Sequence, residues 1–183
     1  MGPMSLILRL AKADDLPVLK ALMMRSIAEL QSAFLTPAQV EASFELMGLD
    51  TQLVADGTYF VVRDGDATAG CGGWSRRATL FGGDHTAGRD AALLDPARDA
   101  ARIRAMYTDP AFVRRGVGRL ILKACETAAA ADGFSRCEMA ATLAGEPLYR
   151  SFGYEVIEPF FGTSSSGVQV PLKRMGKPLV LPT

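Results

Sequence analysis

The sequence predicts a mixed α/β (α+β) fold, with helices flanking a sheet that combines antiparallel hairpins and one parallel strand pair. Three observations carry that expectation. Residues 58–63 are rich in β-branched and aromatic side chains and run into Asp64-Gly65, a hairpin turn signal, followed by a second apolar stretch over 67–76. Residues 102–107 and 136–142 read as strands separated by a helical pattern over 116–132, the order of a right-handed βαβ unit, so these two strands should lie parallel and adjacent. Two last strands, near 154–161 and 168–175, are joined by a turn-rich segment at 162–167.

The remaining elements follow in chain order. Leu6–Leu10 is a short opening strand. Asp14 and Asp15 then stand where a helix N-terminus favours acidic caps, and Leu16, Leu19, Met23, Ile27 and Leu30 continue at helical spacing. Thr36-Pro37-Ala38-Gln39 combines a capping hydroxyl, proline at the first helical position and glutamine three residues after the cap, so a second helix should run toward Met47. Gly70, Gly72 and Gly73 weaken the strand that contains them and point to a bulge, a close backbone neighbour or simple tight packing. Residues 79–100 show no sustained period, and a loop of that length on a compact domain is expected on the substrate side. In the helix that follows, Val117, Leu120, Ile121, Ala124, Cys125 and Ala128 form one apolar face and Gly133 stands at the C-cap. A short helix is expected over 147–151. No repeat or linker divides the chain, so residues 1–183 read as a single domain.

Composition excludes several function classes. With 20 basic and 20 acidic residues the formal net charge is zero, so no overall field draws a polyanion, and a nucleic-acid partner is not expected. Cys71, Cys125 and Cys137 are odd in number, lack CxxC spacing and fall in apolar segments, which reads as reduced thiols in a cytoplasmic protein. His85 is the only histidine, too few for a His-rich metal site, and no metal is expected. The start of the chain, Met1 to Leu6, fits neither a signal peptide nor myristoylation, and no stretch reaches membrane-span length.

The segment with most chemistry is Val113-Arg114-Arg115-Gly116-Val117-Gly118-Arg119, placed between a predicted strand and a predicted helix. A helix start exposes unpaired N–H groups and the positive end of its dipole, and Gly116 and Gly118 let a phosphate approach the backbone. Arg114, Arg115 and Arg119 add local positive charge. The plain alternative is a tight turn with arginines on a solvated face. Other phosphate loops do not fit: there is no GxxxxGK[ST], and Ile121 stands where a dinucleotide GxGxxG needs its third glycine.

Arg-Arg-Gly-Val-Gly-Arg opening a helix after a Pro-containing turn resembles the acetyl-coenzyme A pyrophosphate loop of GNAT acetyltransferases, [QR]xxGx[GA], with Val113 departing from its first position. Downstream, Leu148-Tyr149-Arg150-Ser151-Phe152-Gly153-Tyr154 resembles that family's aromatic segment. The resemblance implies a mostly antiparallel twisted sheet of six to seven strands with helices on both faces and one splayed parallel pair. It implies an N-acetyltransferase that uses acetyl-CoA as co-substrate and passes the acetyl group directly to a small-molecule or peptide amine, with homodimers known among relatives. Met106, Tyr107 and Thr108 match the strand end whose amides hold the pantetheine arm, and residues 113–119 match the pyrophosphate loop. Tyr149 matches the general acid that protonates the leaving thiolate. For the general base, Glu138 and His85 are the candidates, with Arg104 an ion-pair partner for Glu138 in the plainer reading. Trp74, Phe81 and Asp84, with Phe160 and Phe161, are candidate substrate contacts. A non-catalytic acyl-CoA-binding module of the same fold is the alternative.

Overall fold

The computed structural model describes residues 5–180; the Met1–Met4 stretch read above against a leader or lipid anchor lies outside them. Seven strands form one sheet: β1 (Leu6–Leu10), β2 (Tyr59–Asp64), β3 (Ala67–Ser75), β4 (Ala101–Thr108), β5 (Arg136–Thr142), β6 (Glu155–Thr163) and β7 (Gln169–Pro178). Their order is β1-β2-β3-β4-β5-β7-β6, antiparallel throughout except β4 against β5. The helices are α1 (Leu16–Leu30), α2 (Pro37–Leu46), α3 (Thr51–Ala55), α4 (Val117–Ala131) and α5 (Glu146–Ser151). Among the described residues none of them is long and apolar enough to cross a membrane.

Local chemistry accounts for most boundaries. The capping box forms as its residues require: Gln39 N–H donates to Thr36 Oγ1 at 3.2 Å and Thr36 N–H to Gln39 Oε1 at 3.0 Å. Asp15 precedes α1 but does not cap it. Its carboxylate takes both guanidinium arms of Arg9 at 2.7 and 2.8 Å, which lowers its pKa to about 2 and ties the helix start to β1. The short α3 went unpredicted because five residues carry no readable period; Asp50 caps it by accepting from Gln52 N–H at 3.0 Å.

Adjacent residues of a strand point to opposite faces, and this separates two helical layers. Val62, Ala69 and Ile103 pack with Ile121, Leu122 and Cys125 of α4. Val61 and Cys71 pack with Leu19, Leu22 and Met23 of α1 on the other face. A third cluster joins Ile27 of α1 and Leu46 of α2 to Val170 and Leu172 of β7. The sheet is therefore covered by α4 and α5 on one side and by α1 and α2 on the other.

Two irregularities in the middle strand create the site. β4 and β5 are paired only at Ala101↔Cys137 and Arg102↔Glu138 and then part. Just beyond, β4 bulges: Gly73 faces Arg104 and Cys71 faces Tyr107, so Gly72 stands opposite two residues, Ala105 and Met106. Ala105 takes φ +49°, an unusual value for a residue with a Cβ, and its carbonyl is held by the Tyr59 hydroxyl at 2.6 Å. Gly72 allows this approach, since a Cβ there would collide with Met106 Sδ and come within 2.9 Å of Ile121 Cγ2. Gly72→Val should accordingly cost about 1–3 kcal/mol by overpacking, read as a lower urea midpoint at unchanged m-value.

Candidate active site

The start of α4 is shaped by its approach. Asp109 accepts from Ala111 N–H at 2.9 Å and pairs with Arg25 of α1 at 2.7 Å, fixing the single 3-10 turn at Pro110–Phe112. Arg114 at φ +59° and Gly116 at φ +83° then reverse the chain into the helix. Leu120 N–H makes the first intrahelical bond, to Gly116 O at 3.1 Å, so the N–H groups of Val117, Gly118 and Arg119 precede it and have no acceptor within the helix. Gly118 is glycine for a packing reason as well: a Cβ would collide with Leu148 of α5. Arg119 lies over Phe152 at 5.3 Å and donates to Ser151 Oγ at 3.3 Å. Arg115 lies over Phe112 at 5.6 Å.

From this helix start a cavity of about 900 Å³ runs through the gap between β4 and β5. On the α4 side its wall includes Met106, Val113, Arg114, Gly116, Val117, Gly118, Arg119, Met139, Leu148 and Tyr149. On the α1 side it includes Ser26, Glu29, Gln31, Phe34, Met47, Phe81, Arg104, Tyr107 and Leu172, and Thr108 also lines it. Tyr149 is 8% exposed, burial raises its pKa, and its hydroxyl makes no hydrogen bond among the described residues. The Tyr107 hydroxyl accepts from Gly48 N–H at 3.0 Å, and burial raises its pKa too.

Below the gap lies a chain of alternating charges. Arg104 Nη2 donates to Asp50 Oδ2 at 3.1 Å and to Gly82 O at 2.6 Å; Arg89 reaches the same Asp50 oxygen at 2.7 Å, and Asp84 lies 3.9 Å from Arg89. Desolvation lowers the Arg104 pKa, and Asp50 works against that shift. Arg104 and Asp50 are almost wholly buried, so each needs the other.

The cofactor residues expected from sequence, Met106, Tyr107, Thr108, Val113, Arg114, Gly116, Val117, Gly118 and Arg119, all lie on the cavity wall; Arg115 alone stands outside it. Tyr149 and Phe81 are on the wall, the latter against Phe160 with ring centroids 5.9 Å apart. The structure does not bring the other candidates there. Glu138 sits where β4 and β5 still pair, held by Arg102 at 3.1 Å and Arg174 at 3.2 Å. Arg104, expected as its partner, pairs with Asp50 instead. His85 is hydrogen-bonded to Phe44 O at 2.8 Å, and Asp84 accepts from Thr51 N–H at 3.0 Å. Trp74 is buried on the α4 face, edge-on to Phe134.

The long loop reaches the cavity only with Leu80, Phe81 and Gly82. Its later part is tied back, by Arg77 Nη1 donating to Ala91 O at 3.1 Å and by Thr79 Oγ1 donating to Asp90 O at 2.6 Å. Sequence reasoning passed over Glu29, Gln31 and Phe34, which belong to the last turn of α1 and the chain after it. The bulge and close approach read from Gly70, Gly72 and Gly73 are present, with the extra residue in β4, opposite Gly72. Among the described residues no cluster of three or more His, Cys, Asp or Glu could hold a metal ion. All three cysteines are buried, and burial pushes the Cys71 and Cys137 thiols up to about 12.

A family model described as an acetyltransferase (GNAT) domain matches residues 55–156, more than half the chain. The chain belongs to the GNAT acetyltransferase family. Solved structures share the fold of this GNAT domain at low sequence identity. A GCN5-related N-acetyltransferase from Rhodopseudomonas palustris superposes with TM-score 0.71 at 21% identity, covering 98% of this chain and 99% of its own. The PaiA N-acetyltransferase of Thermoplasma acidophilum, solved in complex with coenzyme A, gives 0.65 at 13% identity over 96% and 99%. YncA of Salmonella typhimurium, a putative acetyltransferase solved with acetyl-CoA, gives 0.63 at 15% over 98% and 96%. A search of curated proteins returned no significant match.

Asp50→Ala should leave Arg104 buried without its counter-charge and lower unfolding stability by about 3–5 kcal/mol in urea titration, whereas the joint replacement Asp50→Leu with Arg104→Met should recover most of the loss.

Proposed function

We propose that this GNAT acetyltransferase moves an acetyl group from acetyl-CoA to a primary amine by direct attack, with no acyl-enzyme. The observation that carries this reading is the cavity through the sheet, with a helix N-terminus at one end and Tyr149 on its wall. The N–H groups of Val117, Gly118 and Arg119 suit the pyrophosphate, and Arg114 and Arg119 add charge to the same end. The unpaired edge of β4 from Ala105 to Thr108 offers backbone groups to a pantetheine arm lying in the gap. Acetyl-CoA supplies the activated thioester; the protein supplies position, hydrogen bonds and a proton.

In the transfer, the amine nitrogen bonds to the carbonyl carbon and the C–S bond breaks. Amides of the bulged β4 segment stabilise the negative charge that builds on the carbonyl oxygen. Tyr149 gives its proton to the departing sulfur, and the surplus proton on nitrogen leaves through solvent at the cavity mouth, restoring the phenol. Because burial raises its pKa, Tyr149 is protonated across the neutral and mildly alkaline range, the state a general acid needs. Among the described residues no cysteine lines the cavity, which supports a direct mechanism.

A thiol-release assay with acetyl-CoA and a panel of primary amines tests the reading. Tyr149→Phe should lower kcat about 10²- to 10⁴-fold, with coenzyme A affinity retained. Undiminished kcat in the variant would remove Tyr149 from the chemistry.

A further inference from the structure

The cavity wall carries a polar group with nothing to bond among the described residues. Gln31 follows the last residue of α1, and its backbone carbonyl accepts from Phe34 and Leu35 N–H, each at 3.0 Å. Its side chain is different. The residue is 7% exposed and lines the cavity, yet Oε1 is buried with no hydrogen-bond partner among the described residues. An unsatisfied buried carboxamide destabilises a fold, and an apolar side chain of the same volume would not, so the group calls for a ligand that donates to it.

The surroundings narrow that ligand. Glu29 is the only carboxylate among the described residues on the cavity wall, and it is in no salt bridge with them. Of the arginines that line the cavity among the described residues, Arg104 is already engaged by Asp50 and Gly82 O, while Arg114 and Arg119 belong to the start of α4. Leu30, Phe34, Phe81 and Leu172 add apolar surface to the cavity wall, Phe34 being half exposed. A carboxylate brought beside Glu29 would meet a like charge, whereas an ammonium would find two acceptors and aromatic cover.

Resting on the acetyl-transfer reading above, we infer that the acceptor is a small primary amine on an apolar or aromatic body that lacks a carboxylate. Gln31 and Glu29 accept hydrogen bonds from its ammonium as it enters, one proton passes from that ammonium to solvent before the nitrogen attacks, and Phe34 and Phe81 cover its body. Free amino acids are disfavoured by the same arrangement.

The experiment compares 2-phenylethylamine, L-phenylalanine and a lysine-containing peptide as acceptors in the thiol-release assay, with coenzyme A binding followed by calorimetry. The expected kcat/KM for 2-phenylethylamine exceeds that for L-phenylalanine by at least about tenfold. Gln31→Met is expected to raise KM for 2-phenylethylamine about 10- to 100-fold while changing kcat far less, at a Tm no lower than that of the wild type. Phe34→Ala, at an exposed position that folding does not depend on, is expected to raise KM for 2-phenylethylamine more than for propylamine. Coenzyme A binding with thiol release confined to L-phenylalanine or the peptide, or with no turnover of 2-phenylethylamine, overturns this inference alone. So does an unchanged KM in both variants. Failure to bind coenzyme A would instead overturn the acetyl-transfer reading on which the inference stands.

Discussion

The functional architecture depends on β4 and β5 holding together for two residue pairs and then separating. A parallel pair that stayed zipped to Thr108 would satisfy its own backbone groups and close the sheet. Parting leaves one edge of each strand free inside the molecule, and buried backbone groups need partners. The bulge at Ala105 adds to the divergence, because two β4 residues stand against one glycine of β3 and the strand bends. An extended ligand that can hydrogen-bond like a strand is the natural occupant of such a gap. The α4 N-terminus, positioned by the same βαβ connection, puts N–H groups with no acceptor in the helix beside it.

Holding the gap open requires support from both faces. On the α4 side the support is apolar packing, with Ile121 beneath Gly72 and Leu148 against Gly118. On the α1 side it is partly ionic: Asp50, from the cap of α3, reaches Arg104 of β4, and Gly82 O holds the same guanidinium. Burying these charges carries a desolvation cost, and the contact fixes three separate chain segments beside the cavity. Arg25 with Asp109 ties α1 to the α4 approach in the same way, though this pair is more exposed and contributes less.

What could be read from sequence was what is encoded locally. The capping box at Thr36, the hairpin at Gly65 and the glycine-containing start of α4 each depend on a few neighbouring residues, and the described elements match them to within a residue or two. The mixed sheet with one splayed parallel pair was legible through the resemblance of two motifs, Arg114–Arg119 and Leu148–Tyr154. What escaped depends on distant pairing. Arg104 and Asp50 are 54 positions apart, and nothing near Arg104 distinguishes that partner from Glu138 on the adjacent strand. Glu138 and His85 looked like bases by residue type, while their actual neighbours, Arg102 and Arg174 in one case and Phe44 O in the other, were set by tertiary packing. Gln31 looked like an ordinary helix-end residue; only the cavity beside it makes its unbonded amide informative.

The central claim is that the gap and the α4 N-terminus form one coenzyme A site, and thermal unfolding with coenzyme A and ATP in parallel tests it most directly. At 100 times its dissociation constant, coenzyme A should stabilise the protein by about 2.7 kcal/mol, while ATP, which carries phosphates but no pantetheine arm to lie in the gap, should give little shift. Equal stabilisation by both would reduce the site to a general phosphate cradle, and no shift with coenzyme A would contradict the account.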